Sequence, residues 1–206
     1  MTVIAISGLP GAGSSATAKA LAARLNLHFF SAGQLFKDIS TGKVKERNYY
    51  PLLKELCDKE NLVIPEFNYA NDSLGTISLW DTEFGKSHKL HHLIDSLQKE
   101  LGKKGNIVAE GKLAITMVEN ANFRIWLKAS LDARAKRSAH RDSLDIDSAK
   151  EILTKRLEKE QRELKRIYNF DYLEQEHKAN IIINTEDISV DKIVERIVKS
   201  ISASSV

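Results

Sequence analysis

The chain has very little cysteine and no long run of apolar residues. Cys57 is the single cysteine among 206 residues, so an internal disulfide is excluded, and one unpaired thiol suits a reducing compartment. No stretch approaches the roughly 20 consecutive apolar residues of a transmembrane helix, and no basic segment precedes the apolar start of the chain. These absences predict a soluble, cytoplasmic protein without a membrane partner.

A large excess of charge of one sign is also absent. Lysine and arginine number 31 against 28 aspartate and glutamate residues, which gives a net charge of +3. So small an excess does not indicate a nucleic-acid partner, because pockets that bind phosphate could account for it. No internal repeat is present, and the length fits one domain that can bury a proper core. We therefore predict a single domain over residues 1–206, with no obligate protein partner.

A glycine-rich turn follows the first apolar run of the chain. Residues 3–6 read as a strand and residues 16–25 as a helix, so the turn joins a strand to a helix. Its glycines have the spacing of a phosphate-binding loop. Backbone N–H groups of such a loop form a nest for anions, and the positive end of the next helix adds to that field. The predicted phosphate-binding residues are Gly8, Leu9, Pro10, Gly11, Ala12, Gly13, Ser14 and Ser15.

The turn lacks the lysine that a phosphate-binding loop of this type normally carries. Ser14 occupies that position, and Ser15 occupies the hydroxyl position that ligates Mg²⁺ in such loops. The lysine normally reaches the β- and γ-phosphates, whereas serine supplies no charge. Two interpretations stay open: a phosphoryl-transfer enzyme that takes its positive charge from elsewhere, or a nucleotide-binding protein with weak or lost catalysis. A turn without any phosphate ligand fits the flanking strand and helix poorly.

The rest of the chain alternates short apolar strands with helices. This pattern predicts an α/β fold, a three-layer α/β/α sandwich around a mostly parallel, five-stranded sheet. Ligands of such a sheet collect at the carboxyl ends of its strands, so we expect Ser31, Glu110 and the helix of Arg134 to converge there. Further strands are predicted at 27–30, 106–110, 123–127 and 180–184, and helices at 34–40, 49–59, 89–101, 131–140, 148–168 and 189–201.

Three arginines share one face of the helix predicted at 131–140. Arg134, Arg137 and Arg141 stand at positions i, i+3 and i+7. Without a matching acidic row they repel each other unless an anion neutralises them, and guanidinium groups match phosphate oxygens well. The row indicates a polyphosphate partner, with an ordinary solvated basic face as the alternative.

Residues 60–87 have no clear periodicity. Long irregular segments inside compact domains are usually functional or mobile. Phe67, Tyr69 and Trp80 are too apolar to remain in water, so we expect the segment to pack against the domain. It is either a surface excursion over its own small cluster or an arm that grips a substrate.

Taken in order, these motifs resemble the archaeal-type cytidylate kinases, which are nucleoside monophosphate kinases with the P-loop NTPase fold. The resemblance covers about four-fifths of the chain and is missing chiefly at residues 43–87. The matching segments are 4–15, 31–37, 105–114, 123–127, 133–141, 166–171 and 182–185.

The resemblance implies a Mg²⁺-dependent enzyme that transfers the γ-phosphoryl group of ATP to a nucleoside monophosphate, CMP or dCMP. It implies a core at 1–30, 105–130 and 178–202, an acceptor-binding arm at 31–104 and a lid at 131–170. A kinase for a different small acceptor and a nucleotide-binding protein with little activity remain the alternatives.

The resemblance also implies a role for each matching position. The loop from Gly8 to Ser15 would hold the β- and γ-phosphates of ATP, with Mg²⁺ at Ser15. Lys37 and Lys112 stand where the family usually has arginine; lysine keeps the charge but loses the bidentate fork. The implied catalytic residues are Glu110, Lys112, Arg134, Arg137 and Arg141; the acceptor-binding residues are Ser31, Gly33, Lys37 and Lys112; the residues near adenine are Arg134, Asn184 and Thr185.

Overall fold

A parallel sheet forms the centre of the computed structural model, which describes residues 1–67, 69, 79 and 81–203. The strand order is β2-β3-β1-β4-β5, and all four pairings are parallel. The prediction of a five-stranded parallel sheet is confirmed. The strands are β1 (Val3–Gly8), β2 (His28–Ser31), β3 (Ile107–Glu110), β4 (Phe123–Lys128) and β5 (Ile181–Asn184).

Helices connect these strands and flank the sheet. The α-helices are α1 (Ser14–Leu25), α2 (Ala32–Ser40), α3 (Tyr50–Glu60), α4 (Glu83–Lys86), α5 (His88–Lys104), α6 (Ala114–Met117), α7 (Leu131–Asp142), α8 (Ile146–Tyr168) and α9 (Val190–Ala203). 3₁₀ helices span Lys43–Glu46 and Tyr172–Lys178. Within the described ranges, no helix combines the length and the apolar character needed to cross a membrane.

The two faces of the sheet bury separate cores. Along β1, Val3 and Ala5 belong to one core, while Ile4 and Ile6 belong to the other, as expected where successive side chains point to opposite faces. The first core includes apolar residues of α2, α3, α5 and α8, and the second includes apolar residues of α1 and α9. Helices therefore cover both faces, which is the predicted three-layer arrangement.

Side-chain caps fix the starts of the helices near the strand ends. Ser31 accepts a hydrogen bond from the Gln34 backbone N–H at 3.1 Å, which caps α2. Asp145 accepts one from the Ser148 N–H at 2.8 Å. Because Asp145 is the cap, α8 begins at Ile146, two residues before the predicted start.

The described part of the irregular segment packs on its own aromatic residues and on the end of α2. The Phe67 ring stacks on Tyr69 with 5.6 Å between ring centroids and lies 5.9 Å from Phe84. The Tyr69 backbone N–H donates to the Ser40 carbonyl at the end of α2. The short helix α4 lies inside this segment, where the sequence predicts no periodic structure. Trp80 and residues 68 and 70–78 lie outside the described residues.

Candidate active site

The loop between β1 and α1 depends on its glycines. A Cβ at Gly8 would lie 2.4 Å from the Leu127 carbonyl oxygen, because β4 runs directly alongside. Gly11 and Gly13 have φ angles of 82° and 91°, in the left-handed region that favours glycine. A Cβ at Gly11 would also lie 3.1 Å from the Cβ of Arg134. The backbone path is therefore open only to glycine at these positions.

The first turn of α1 leaves its N–H groups available to an anion. Gly13 is the N-cap residue and provides no side-chain cap, and the first turn contains no acidic side chain. The first N–H groups of any helix have no intrahelical partner, and the helix dipole makes this end positive. The loop carbonyls are engaged: Pro10 accepts from Arg134, and Ala12 accepts from the Thr185 hydroxyl at 3.1 Å. The loop is thus held from behind. The N–H groups of Leu9 and Ala12 donate to the carbonyls of Leu127 and Leu9, so the N–H groups at the start of α1 are the ones that an anion can reach.

Glu110 joins three strand ends at this loop. Its carboxylate is buried and accepts from the Ser14 hydroxyl at 3.0 Å on Oε1 and from the Ser31 hydroxyl at 2.6 Å on Oε2. Ser31 ends β2, Glu110 ends β3, and Ser14 starts the helix that follows β1. The structure therefore brings together the residues that the sequence expects to converge. Ser14, which replaces the usual lysine, donates its hydroxyl hydrogen to this carboxylate.

Lys112 reaches the same loop from the end of β3. Its Nζ donates to the Gly8 carbonyl oxygen at 3.3 Å and lies 3.1 Å from Oε2 of Glu160 on α8. The ammonium also stands over the Tyr172 ring, 5.6 Å from its centroid. Burial lowers the pKa of Lys112, and the Glu160 carboxylate opposes that shift. Lys112 therefore links the phosphate loop to the long helix.

Glu160 holds a second cation besides Lys112. Its Oε1 accepts from Nε of Arg156, one turn earlier on α8, at 2.8 Å. Burial alone would raise the pKa of Glu160, but Lys112 and Arg156 together lower it. Neither Arg156 nor Glu160 is among the site residues predicted from the sequence. Their i,i+4 spacing is visible in the sequence, but it is shared with other pairs on this helix, so spacing alone does not distinguish them.

The three arginines of α7 contact different partners. Arg134 is buried and donates to the carbonyls of Pro10 at 3.0 Å and Ala129 at 3.2 Å. Arg137 donates to the hydroxyl of Thr185 at 3.1 Å and to its carbonyl. Arg141 pairs with Asp142 at 2.6 Å. Protein acceptors thus relieve the repulsion for which the sequence analysis invoked a polyphosphate.

Comparison with known proteins shows the family to which the chain belongs. The sequence model of the cytidylate kinase-like family matches residues 3–187. The chain belongs to this family. It is similar to the cytidylate kinase of Methanosphaera stadtmanae, with 28% identity over 97% of both chains. It is also similar to that of Methanoregula boonei, with 31% identity over 92% of this chain and 88% of the relative.

Membership of the cytidylate kinase-like family confirms the resemblance and the predicted enzyme class, a nucleoside monophosphate kinase. Among solved structures, shikimate kinase from Bacteroides thetaiotaomicron matches with a TM-score of 0.52 and 16% identity over 98% of both chains. At this identity the likeness concerns the fold alone. It agrees with the P-loop kinase fold expected from the sequence.

The other implied family positions surround this centre. Gly33 is exposed and Lys37 half-buried on α2, which starts directly after Ser31. Asn184 ends β5 and accepts from the Glu186 N–H at 3.0 Å, while Thr185 is fully buried beneath the loop. Ser15 is exposed on the first turn of α1. Over the part of the chain that the structure describes, no group of three or more His, Cys, Asp or Glu side chains could hold a metal.

Proposed function

We propose that this enzyme transfers the γ-phosphoryl group of ATP to CMP or dCMP. The observation that carries the proposal is a convergence at the loop. Ser14 and Ser31 both donate to the Glu110 carboxylate, and Lys112 donates to the Gly8 carbonyl of the same loop. Relatives named cytidylate kinase support the choice of acceptor. In this proposal the residues act by positioning and charge neutralisation, which is most of the catalysis in phosphoryl transfer.

Each part of the site has a place in this reaction. The open N–H groups of the loop would bind the β- and γ-phosphates of ATP. Ser31 and Gly33, at the start of α2, and Lys37 further along would face the acceptor monophosphate. Arg137 would stabilise the charge that moves between donor and acceptor. The helices α7 and α8 would cover the site and exclude water, which would otherwise compete as the acceptor.

The oxygens at the loop also fit Mg²⁺. This ion prefers hard oxygen ligands and usually takes one or two from the protein, with water and phosphate oxygens for the remainder. Ser15 offers an exposed hydroxyl, and Glu110 offers a carboxylate that accepts from two serine hydroxyls. We infer that Ser15 would bind Mg²⁺ and that Glu110 would act on it or on its water shell. Bound Mg²⁺ would neutralise charge on the phosphate oxygens.

A panel of acceptors tests the proposal. Release of ADP from Mg·ATP is measured with CMP, dCMP, UMP, AMP, GMP and no acceptor in parallel. We expect turnover with CMP or dCMP and little with the others. Glu110→Gln should lower kcat by up to about 10²-fold, since it weakens the hold on Mg²⁺ or on its water shell. Glu119→Gln, a change of the same kind at an exposed residue, should leave kcat unchanged.

The same panel separates the alternatives. Binding of ATP without turnover on any acceptor would favour a non-catalytic nucleotide-binding protein, which is the alternative suggested by serine in place of the usual lysine at position 14. In that case Ser14→Lys, which restores the usual lysine, should create activity from nothing. Turnover with another nucleotide alone, or only with a non-nucleotide alcohol, would point to a kinase with a different small acceptor.

A further inference from the structure

We propose that Glu160 is a positioning residue that holds Lys112 against the phosphate loop, so that Lys112 supplies the positive charge missing at position 14. This inference rests on the proposed kinase function and assigns the cation that such a function needs. It concerns Glu160 and Arg156, neither of which belongs to the loop or to the strand ends.

The contacts of Lys112 restrain its ammonium from three sides. The Tyr172 ring lies under it at 5.6 Å, Oε2 of Glu160 lies at 3.1 Å, and the Gly8 carbonyl oxygen accepts from it at 3.3 Å. An ammonium has three N–H donors. The Gly8 carbonyl engages one of them, and the Glu160 carboxylate is an ion partner at 3.1 Å, so a further N–H donor is available to a phosphate oxygen at the loop. The ammonium stands beside the first residue of that loop.

Glu160 is itself fixed before any substrate arrives. Arg156 donates to its other carboxylate oxygen at 2.8 Å, and the side chain of Glu160 is only 12% exposed. Tyr172 next to it is fully buried. A buried carboxylate fixed by Arg156 at one oxygen defines where the cation at its other oxygen sits, and preorganised charges are what stabilise a transition state. The pair thus sets the position of Lys112 from a helix outside the sheet.

The arginines near the loop are less suited to this role. Arg134 gives its guanidinium donors to the carbonyls of Pro10 and Ala129, and it is buried behind the loop. Arg137 donates to Thr185, and Arg141 to Asp142. Lysine at position 112 contacts the loop directly, and its compact ammonium resembles the group that Ser14 lacks.

Glu160→Gln tests the positioning role by separating kcat from binding. The amide keeps the shape of the side chain but loses the charge that orients Lys112. We expect kcat to fall about tenfold or more, while the Kd for ATP measured without acceptor changes less than about threefold, as for an interaction realised in the transition state. Glu158→Gln is the matched control, because Glu158 lies on the same helix and is exposed. It should behave like the unchanged enzyme.

The pH profile gives a readout that a purely structural ion pair would not move. The charged and titratable groups facing Lys112 are Glu160 and Arg156 of α8, Glu110 of β3 and Tyr172 of the 3₁₀ helix. Loss of the Glu160 carboxylate favours the neutral amine, so the alkaline fall of kcat/KM should move to lower pH in Glu160→Gln. Glu160→Asp keeps the charge and should keep the alkaline limb near its original position.

Binding of inorganic tripolyphosphate distinguishes failure of this inference from failure of the kinase proposal. Titration calorimetry needs no acceptor, and comparison of variants at one pH cancels the titration of the ligand. Lys112→Ala should weaken binding about tenfold or more, and the alkaline loss of affinity should begin at lower pH in Glu160→Gln. These results with no turnover on any acceptor would overturn the kinase proposal alone.

The role of Glu160 would be overturned if Glu160→Gln phosphorylates CMP with an unchanged kcat and with an unchanged alkaline fall of kcat/KM. Equal loss of kcat and ATP affinity, with a lower thermal midpoint and no shift of the limb, would also overturn it, because that combination describes a structural ion pair. Should Glu160→Gln fail to fold, Glu160→Asp and the double variant Ser14→Lys with Lys112→Ala replace it. Return of tripolyphosphate affinity in the double variant supports the assignment of Lys112, and no return overturns it.

Discussion

Ser14 and Glu110 show how one residue changes the distribution of charge in this site. A lysine at position 14 would bring its own ammonium to the loop, but serine instead donates a neutral hydrogen bond to Glu110 at 3.0 Å. The cations beside the loop therefore come from other elements, as Lys112 from the segment after β3 and Arg134 from α7. The missing lysine is visible in the sequence, whereas these replacements depend on which side chains the fold brings to the loop.

Arg137→Ala should lower kcat about 10²-fold, in the range for removal of one donor to a developing charge. The Kd for ATP should change much less, because the guanidinium donates to Thr185 before any substrate is bound. Steady-state kinetics with an independent ATP titration measure both quantities. The neighbouring exposed Lys136→Ala is the control. An equal loss of kcat and affinity, or no loss in either, would remove Arg137 from the transition-state role.

The contact between α5 and α8 contains two buried groups with shifted pKa values. Asp95 on α5 is buried and accepts from the Tyr168 hydroxyl at the end of α8 at 2.6 Å. Burial raises the pKa of Asp95 to about 7. His91, one turn earlier, has its Nε2 3.0 Å from the Gly85 carbonyl oxygen, and burial lowers its pKa to about 4. Two buried titratable groups therefore lie where α5 meets α8.

Asp95→Asn should stabilise the protein at alkaline pH. The folded state holds the Asp95 proton more tightly than the unfolded state, in which the pKa of Asp95 is near 3.8. Between about pH 4 and pH 7 this residue therefore lowers the free energy of unfolding as pH rises. Asparagine removes that loss and still accepts from Tyr168. We expect a gain of up to about 4 kcal/mol at about pH 8, from roughly three pKa units, that vanishes near pH 4.

Urea unfolding at several pH values measures this gain. The exposed Asp58→Asn on α3 provides the control and should show no comparable dependence on pH. His91 acts in the opposite direction, because its lowered pKa makes stability rise with pH between about 4 and 6.5. The difference between Asp95→Asn and the unchanged protein cancels that contribution. A gain of equal size at every pH would contradict the assignment of the buried carboxyl.

Sequence patterns located the elements better than their contacts. The strands and their parallel order follow from short apolar runs between helices, and Ser31 and Glu110 meet because carboxyl ends of neighbouring strands share an edge. Helix periodicity gives the apolar face of α8 but does not give the position of Glu160 relative to Lys112, which depends on how the helix packs across the loop. The same limit applies to Arg134, which lies in the predicted row but is buried behind the loop.

At the scale of the whole molecule, α8 contacts residues beside the loop as well as residues of α4 and α5. Its first half packs with α7 through Ala135, Ala139, Ala149 and Leu153, and Leu153 lies close to Gly11 of the loop. Glu160 contacts Lys112 in the middle of the helix, and Tyr168 contacts Asp95 at its end. Arg166 also donates to the Lys86 carbonyl at 2.9 Å. A single helix with contacts at the loop and at α5 provides a route by which binding at the loop affects the residues around α5, and the reverse.

Binding of donor and acceptor should therefore be cooperative. Each ligand alone at about 100 times its Kd raises the free energy of unfolding by about 2.7 kcal/mol. We expect CMP and the β,γ-imido analogue of ATP together to exceed the sum of their separate effects by about 1 kcal/mol or more. Tyr168→Phe should reduce this surplus and keep the separate effects, because it breaks the contact of α8 with Asp95. Tyr50→Phe on α3 removes a hydroxyl away from that contact and should keep the surplus. Strictly additive effects in the unchanged protein would show that donor and acceptor bind independently and that α8 transmits nothing between them.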